Sequence, residues 1–184
     1  GWSWDTKIAD FDHDGLQDVY IVNGTWVPNE VSPSNLFFHN QSDGRFVEAS
    51  GPFGLEDYLM TAAATAFDMD NDGDLDMVTH PVNGPMAVFR NNTQAPALVI
   101  SLHDQIGNRD GIGAKITLTD DTGRTQMREL QLGGGFMSFD APRAHFGMGR
   151  ARHATELSIR WPDGSTTQVS GPLDAGAHYR ISRN

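Results

Sequence analysis

Residues 10–24 read DFDHDGLQDVYIVNG and residues 68–84 read DMDNDGDLDMVTHPVNG, two copies of one pattern that begin 58 positions apart. Each places Asp at relative positions 1, 3, 5 and 9, Gly at position 6 and an apolar run behind. The match continues downstream, where NLFFHN at 35–40 corresponds to MAVFRN at 86–91. A period of about 40 to 60 residues with strand-like patterning marks a propeller-type array and not a helical solenoid. Short β-branched or aromatic runs at 19–22, 36–39, 45–49, 75–80 and 86–90, bounded by Asn, Gly, Pro and Asp, read as strands. LMTAAATA at 59–66 has some helical character but lacks a convincing cap, and the register of the repeat makes it lead into a strand, as residues 5–9 do.

The aspartates point to a hard cation. Calcium takes six to eight oxygen ligands, and a nine-residue loop with carboxylates at 1, 3, 5 and 9 can wrap one, with the carbonyl of position 7 as a further ligand. The first site then uses Asp10, Asp12, Asp14 and Asp18 with the carbonyl of Leu16, and the second uses Asp68, Asp70, Asp72 and Asp76 with the carbonyl of Asp74. An EF-hand fails because position 12 holds Ile21 or Thr79 and because strands, not helices, flank the loops. Zinc and copper fit poorly, since no His or Cys cluster accompanies the carboxylates. His13 falls at an outward-facing position of the first loop. The competing reading of both windows is a pair of solvated Asx-turns capping strand ends.

Charge is partitioned in the same way. The 184 residues carry 13 basic and 24 acidic side chains, a net of −11. Residues 1–96 hold a net of −12 and the remainder +1, and nine of the 19 aspartates lie in the two loops. An acidic chain of this kind is a poor match to nucleic acid, whose phosphates need a basic face. With no Cys there is no disulfide framework or thiolate chemistry. The apolar runs are too short to span a membrane. No secretory leader is visible where Gly1 opens onto Trp2, so the chain reads as mature, trimmed or cut from something longer.

From Ala97 onward strands and turns continue through ALVISLH, AKITLT, TQMRELQL, ELSIRW and HYRIS, with Pro162, Asp163 and Gly164 as a hairpin turn. This half reads as an antiparallel sandwich or barrel. Glycines in GIGAK, LGGGF and FGMGR lack the strand, GxGxxG and helix context of a phosphate loop and read as bulges and tight turns. Asn108–Asp110 reads as a turn held by Arg–carboxylate pairing. No GxSxG occurs and the seven His are scattered, His145 being the most suggestive and fitting a structural hydrogen bond best. Sequons stand at Asn23, Asn40 and Asn91, and Trp2, Trp4 and Trp26 read as core packing before a sugar-stacking face.

The repeats, with SNLFFHNQSDGRFVEAS between them, resemble FG-GAP/VCBS repeats, the calcium-binding blades of integrin-type propellers. GNRDGIGAKITLTDDTGRTQMRELQLGGGFMSFDAPRAHFGMG, followed by LSIRWPDGSTTQV, is similar to the ASPIC/UnbV domain of cartilage-acidic-protein-like proteins. Met148 stands where that family usually has Leu. The resemblance implies an all-β chain of two blade-like repeats at about 1–58 and 59–96, followed by an UnbV-like domain at 97–184. It also implies a secreted, surface or periplasmic location and a non-enzymatic adhesion or interaction role with two calcium ions. A closed propeller needs at least four blades, so two blades leave strand edges that favour a homo-oligomer or filament. The alternatives are a carbohydrate-binding or polysaccharide-processing protein and a structural subunit of a surface filament, with a protein or glycan as the expected partner.

Overall fold

The computed structural model describes residues 2–24, 33–82 and 84–184, so Trp26 lies outside the described residues. Every regular element among the described residues is a strand. The first four, β1 (Trp2–Ala9), β2 (Asp18–Gly24), β3 (Leu36–Asn40) and β4 (Phe46–Glu48), form an antiparallel meander in sequence order. A three-stranded meander follows, of β5 (Thr61–Phe67), β6 (Asp76–Pro81) and β7 (Ala87–Phe89).

One core serves both meanders. Tyr20, Val22 and Phe37 from the first sheet meet Ala64, Ala66 and Met77 from the second, with Phe11 and Leu75 from the loops. The alanine-rich stretch with helical character is thus strand β5. Its small side chains let the backbone lie close to the first sheet, where the buried Asp5 carboxylate of β1 accepts a hydrogen bond from the Ala64 N–H at 3.0 Å. Tertiary pairing overrides a helix propensity worth only tenths of a kcal/mol per residue. A buried polar knot adds a second tie, in which Asp57 Oδ2 accepts from Asn35, Thr61 and Thr79 at 3.1–3.2 Å.

The remaining strands are β8 (Ala97–Asp104), β9 (Lys115–Asp120), β10 (Thr125–Glu129), β11 (Ala144–Gly147), β12 (His153–Arg160), β13 (Thr166–Asp174) and β14 (His178–Arg183). They form two sheets, β10-β9-β12-β13 and β11-β8-β14. Alternate aliphatic residues of both fill a single core: Leu98 and Ile100, Ile116 and Leu118, Leu157 and Ile159, with Phe146 and Trp161. Pairing is antiparallel except between β14 and β8, which run parallel. The expectation of a wholly antiparallel domain is corrected there. Residues 175–177 carry the chain from one sheet to the other instead of closing a hairpin, with Gly176 N–H bonded to the Ala97 carbonyl at 2.7 Å. The hairpin at Pro162–Gly164 joins β12 to β13 as its residues require, Gly164 having φ 87°. The described strands close neither a barrel nor a propeller.

The halves are joined by buried charge as well as by chain. Lys7 of β1, 3% exposed, lies 3.6 Å from Asp5 and 3.3 Å from Asp140, while Ser138 Oγ donates to Asp5 at 2.6 Å. Asp140 also accepts from the Ala66 N–H at 2.8 Å. The segment before β11 is thereby fixed across β1 and β5.

Candidate cation loops

Both aspartate windows connect the first and second strands of their meanders, Asp10–Asp18 between β1 and β2 and Asp68–Asp76 between β5 and β6. Their backbones match. Position 4 is left-handed in each, His13 and Asn71 both having φ 61°, and the position 6 glycines have φ 93° and 99°. These angles are why Gly stands at position 6.

The hydrogen bonds match as well. The position 1 carboxylate accepts from the glycine N–H, Asp10 from Gly15 at 2.9 Å and Asp68 from Gly73 at 3.2 Å. Position 5 accepts from position 7, Asp14 from Leu16 at 2.7 Å and Asp72 from Asp74 at 3.1 Å. Position 9 braces the loop with both oxygens. Asp18 accepts from the Phe11 and Asn40 N–H groups at 3.1 and 2.9 Å, and Asp76 from those of Met69 and Asn91 at 2.8 and 2.9 Å. Asn40, which ends β3, and Asn91, two residues past β7, thus brace the two loops in the same way.

In each loop the carboxylates of positions 1, 3 and 9 converge, Asp10, Asp12 and Asp18 or Asp68, Asp70 and Asp76 offering atoms within 4.8 Å of one another. Position 5 behaves differently in the two loops. Asp14 gathers with Asp12 and His39, whereas Asp72 joins no such group among the described residues. The sequence reading missed His39. Its place one residue before the bracing Asn was the available signal, and its Nε2 lies 2.9 Å from Asp12.

Burial sets the electrostatics. It pushes Asp10 up to about 7, Arg128 opposing and the other loop carboxylates adding, and pushes Asp18 up to about 6. Burial and neighbouring carboxylates also raise Asp74, whose two buried oxygens have no hydrogen-bond partner among the described residues. Asp10 Oδ1 is likewise buried and unpartnered. Orphaned carboxylate oxygens cost free energy that a cation offsets, and an all-oxygen donor set suits a hard divalent ion. Clusters able to chelate a metal ion are therefore present.

The first loop is enclosed by the C-terminal half. His13 is 2% exposed, not outward-facing, because its Nδ1 lies 2.7 Å from the Ala95 carbonyl and its own carbonyl accepts from Gly149 at 2.9 Å. Asn91, Thr93 and Arg124 donate to the carbonyls of Phe11, Asp12 and Asp14. Gly147 completes the fit, since a Cβ there would stand 2.0 Å from Asp10 Oδ2 and 2.5 Å from His13 Cα. That glycine serves close approach, whereas Gly149 has the positive φ of a tight turn. Burial lowers the pKa of His145, two residues earlier on β11, to about 4, with the neighbouring Gly73 backbone opposing. β11 therefore touches both loops, and His145 is a neutral structural group.

Other sequence features resolve simply. The side-chain amides of Asn23, Asn40 and Asn91 all donate to backbone carbonyls, so the three sequons double as structural ties. Asn108 holds its turn through Ile112, and Arg109 pairs with Asp110. Trp4 packs on the repeat core beside Phe136 while Trp2 is half exposed. No helix among the described residues is long and apolar enough to cross a membrane.

Comparison with known proteins agrees with this layout. The FG-GAP-like repeat model matches residues 10–79, and the ASPIC and UnbV model matches residues 104–184. Cartilage acidic protein 1 of Mus musculus is 28% identical over 172 residues, 88% of this chain, and that of Homo sapiens is 27% identical over 179 residues, 91% of this chain. The chain spans 26% of the length of these two relatives. Both matched families are non-catalytic, in keeping with a chain that is not an enzyme. Residues 10–79 are thus similar to FG-GAP-like repeats and residues 104–184 to the ASPIC and UnbV family, and most of the chain aligns with the cartilage acidic proteins.

Proposed function

We propose that this chain is a calcium-dependent interaction module of the extracellular space, in which two cations stiffen the repeat loops for presentation to a protein or glycan partner. The observation that carries the reading is the pair of matching loops whose position 1, 3 and 9 carboxylates converge within 4.8 Å. Asp10, Asp12, Asp14 and Asp18 with the Leu16 carbonyl hold the first ion. Asp68, Asp70, Asp72 and Asp76 with the Asp74 carbonyl hold the second. Calcium supplies charge neutralisation and oxygen coordination there, with no chemical step.

In this reading residues 1–58 and 59–96 are two blade-like repeats and residues 97–184 an UnbV-like sandwich. The separate cores of the two halves support that division. The exposed outer strand β4, with Phe46 and Val47 half uncovered, supports association at a repeat edge. The location rests on likeness to the cartilage acidic proteins.

Thermal melts with calcium and with chelator test the proposal. Ion binding to the folded state alone stabilises by RT ln(1 + [L]/Kd), about 2.7 kcal/mol at a hundredfold excess over Kd. Chelation is expected to lower the Tm by several degrees, and identical melts would overturn the calcium assignment.

A further inference from the structure

We propose that the basic residue closing the third strand of each repeat sets the strength of the adjacent cation loop, with Arg90 acting as a built-in competing cation in the second loop. The inference rests on reading the loops as cation sites. His39 and Arg90 occupy equivalent places, each one residue before the Asn whose N–H braces position 9 at 2.9 Å. Equal register brings both side chains to the same carboxylate. His39 Nε2 lies 2.9 Å from Asp12 and Arg90 Nη2 lies 2.6 Å from Asp70, position 3 in each loop. Arg90 also stands 3.9 Å from Asp72 at position 5.

The two groups differ in what they do to an arriving ion. A neutral imidazole can stay beside a cation without repelling it: His39 Nε2–H donates to Asp12, its Nδ1 lone pair accepts from Gln41 at 2.9 Å, and Asp12, Asp14 and His39 gather within 4.8 Å. A guanidinium is permanently charged, has only donors and cannot ligate. A divalent ion in the second loop must displace Arg90 from Asp70 or bind beside a like charge.

Asp74 is the independent counterpart. The second loop has five carboxylates where the first has four, and the fifth, Asp74, is 3% exposed with both oxygens unpartnered. Arg90 offsets that additional charge. Arg124 and Arg128 already stand beside the carboxylates of the first loop, so without Arg90 the second loop is the more negative of the two and becomes the tighter site. The Arg90 side chain is 59% exposed, so its effect is a matter of several-fold and not of orders of magnitude.

Calorimetric titration of the whole chain with calcium alone tests this. Asp14→Asn and Asp72→Asn, both at exposed positions, assign the two binding events to their loops. Arg90→Met and Arg90→Gln are expected to tighten the second-loop event by roughly three- to tenfold, and His39→Arg to weaken the first by a similar factor. A change below twofold, or weaker binding, in both Arg90 variants overturns the proposal while leaving the cation loops intact. Absence of saturable calcium binding in every variant overturns the cation reading and this inference with it. Circular dichroism of each variant separates loss of fold from loss of binding.

Discussion

The two aspartate loops are the same object in two settings. Their backbone angles and bracing hydrogen bonds agree position by position, and position 9 is buried in both, yet Asp10 and His13 are buried where Asp68 is half-buried and Asn71 exposed. Residues 91–95 together with Gly147 and Gly149 cover the first loop, whereas the second is exposed at positions 2 to 5 and buried at positions 7 and 9. A short motif thus dictates a loop conformation, and the packing around it dictates how its carboxylates ionise and how much stability depends on it.

The largest expected effect concerns pH. Asp10 and Asp18 have folded-state values of about 7 and about 6, above the 3.8 of an unperturbed Asp. The folded chain therefore holds the extra protons between those values, and cation-free stability falls as pH rises from about 4 through 7. One pKa unit is worth about 1.4 kcal/mol, so the first loop accounts for a loss on the order of several kcal/mol. Urea melts in chelator across that range measure it. Asp10→Asn should flatten the larger part of the first loop's share of the slope, Asp74→Asn should remove the share of the second loop, where burial also raises Asp74 to about 7, and saturating calcium should suppress both. An unchanged slope in Asp10→Asn would overturn burial of the first loop as a source of the pH dependence.

Steric closure comes next. Gly147→Ala drives a Cβ into Asp10 and the His13 backbone, and is expected to cost about 3 kcal/mol. Gly73→Ala, with open space around the added atom, bears only the strain of its positive φ, about 1 kcal/mol. Denaturant midpoints compare the two.

Arg124 and Arg90 sharpen the contrast further. Arg124 donates to the carbonyls of Asp14 and Gly147 and to buried Asp120, so Arg124→Ala should destabilise by about 2 kcal/mol. Arg90 pairs on the surface, and Arg90→Ala should change cation-free stability by less than about 0.5 kcal/mol. The smallest difference is expected between the bracing asparagines. Asn91→Ala should cost a few tenths of a kcal/mol more than Asn40→Ala, because Asn91 also ties the Phe11 carbonyl of the other repeat. Chemical unfolding of both variants in chelator is the measurement.

Much of this was legible in the residues. The period, the strands and the left-handed glycine of each loop follow from local pattern, since φ > 0 and alternation are properties of a few neighbouring residues. Even the alanine stretch at 59–66 is resolved by repeat register. His13 was misjudged because position within a loop does not say what lies above it, and Ala95 and Gly149 are far along the chain. The parallel β14–β8 pair was missed for the same reason, as strand direction depends on where residues 175–177 take the chain.

By itself, then, the sequence determined an all-β chain with two aspartate loops of defined conformation, because turn chemistry and hydrophobic alternation act over a few residues. Only the tertiary structure decided which loop is buried, that β11 contacts both, and that His39 and Arg90 stand at equivalent carboxylates. Burial and charge contacts come from segments remote in sequence, and no local pattern encodes which remote segments will meet.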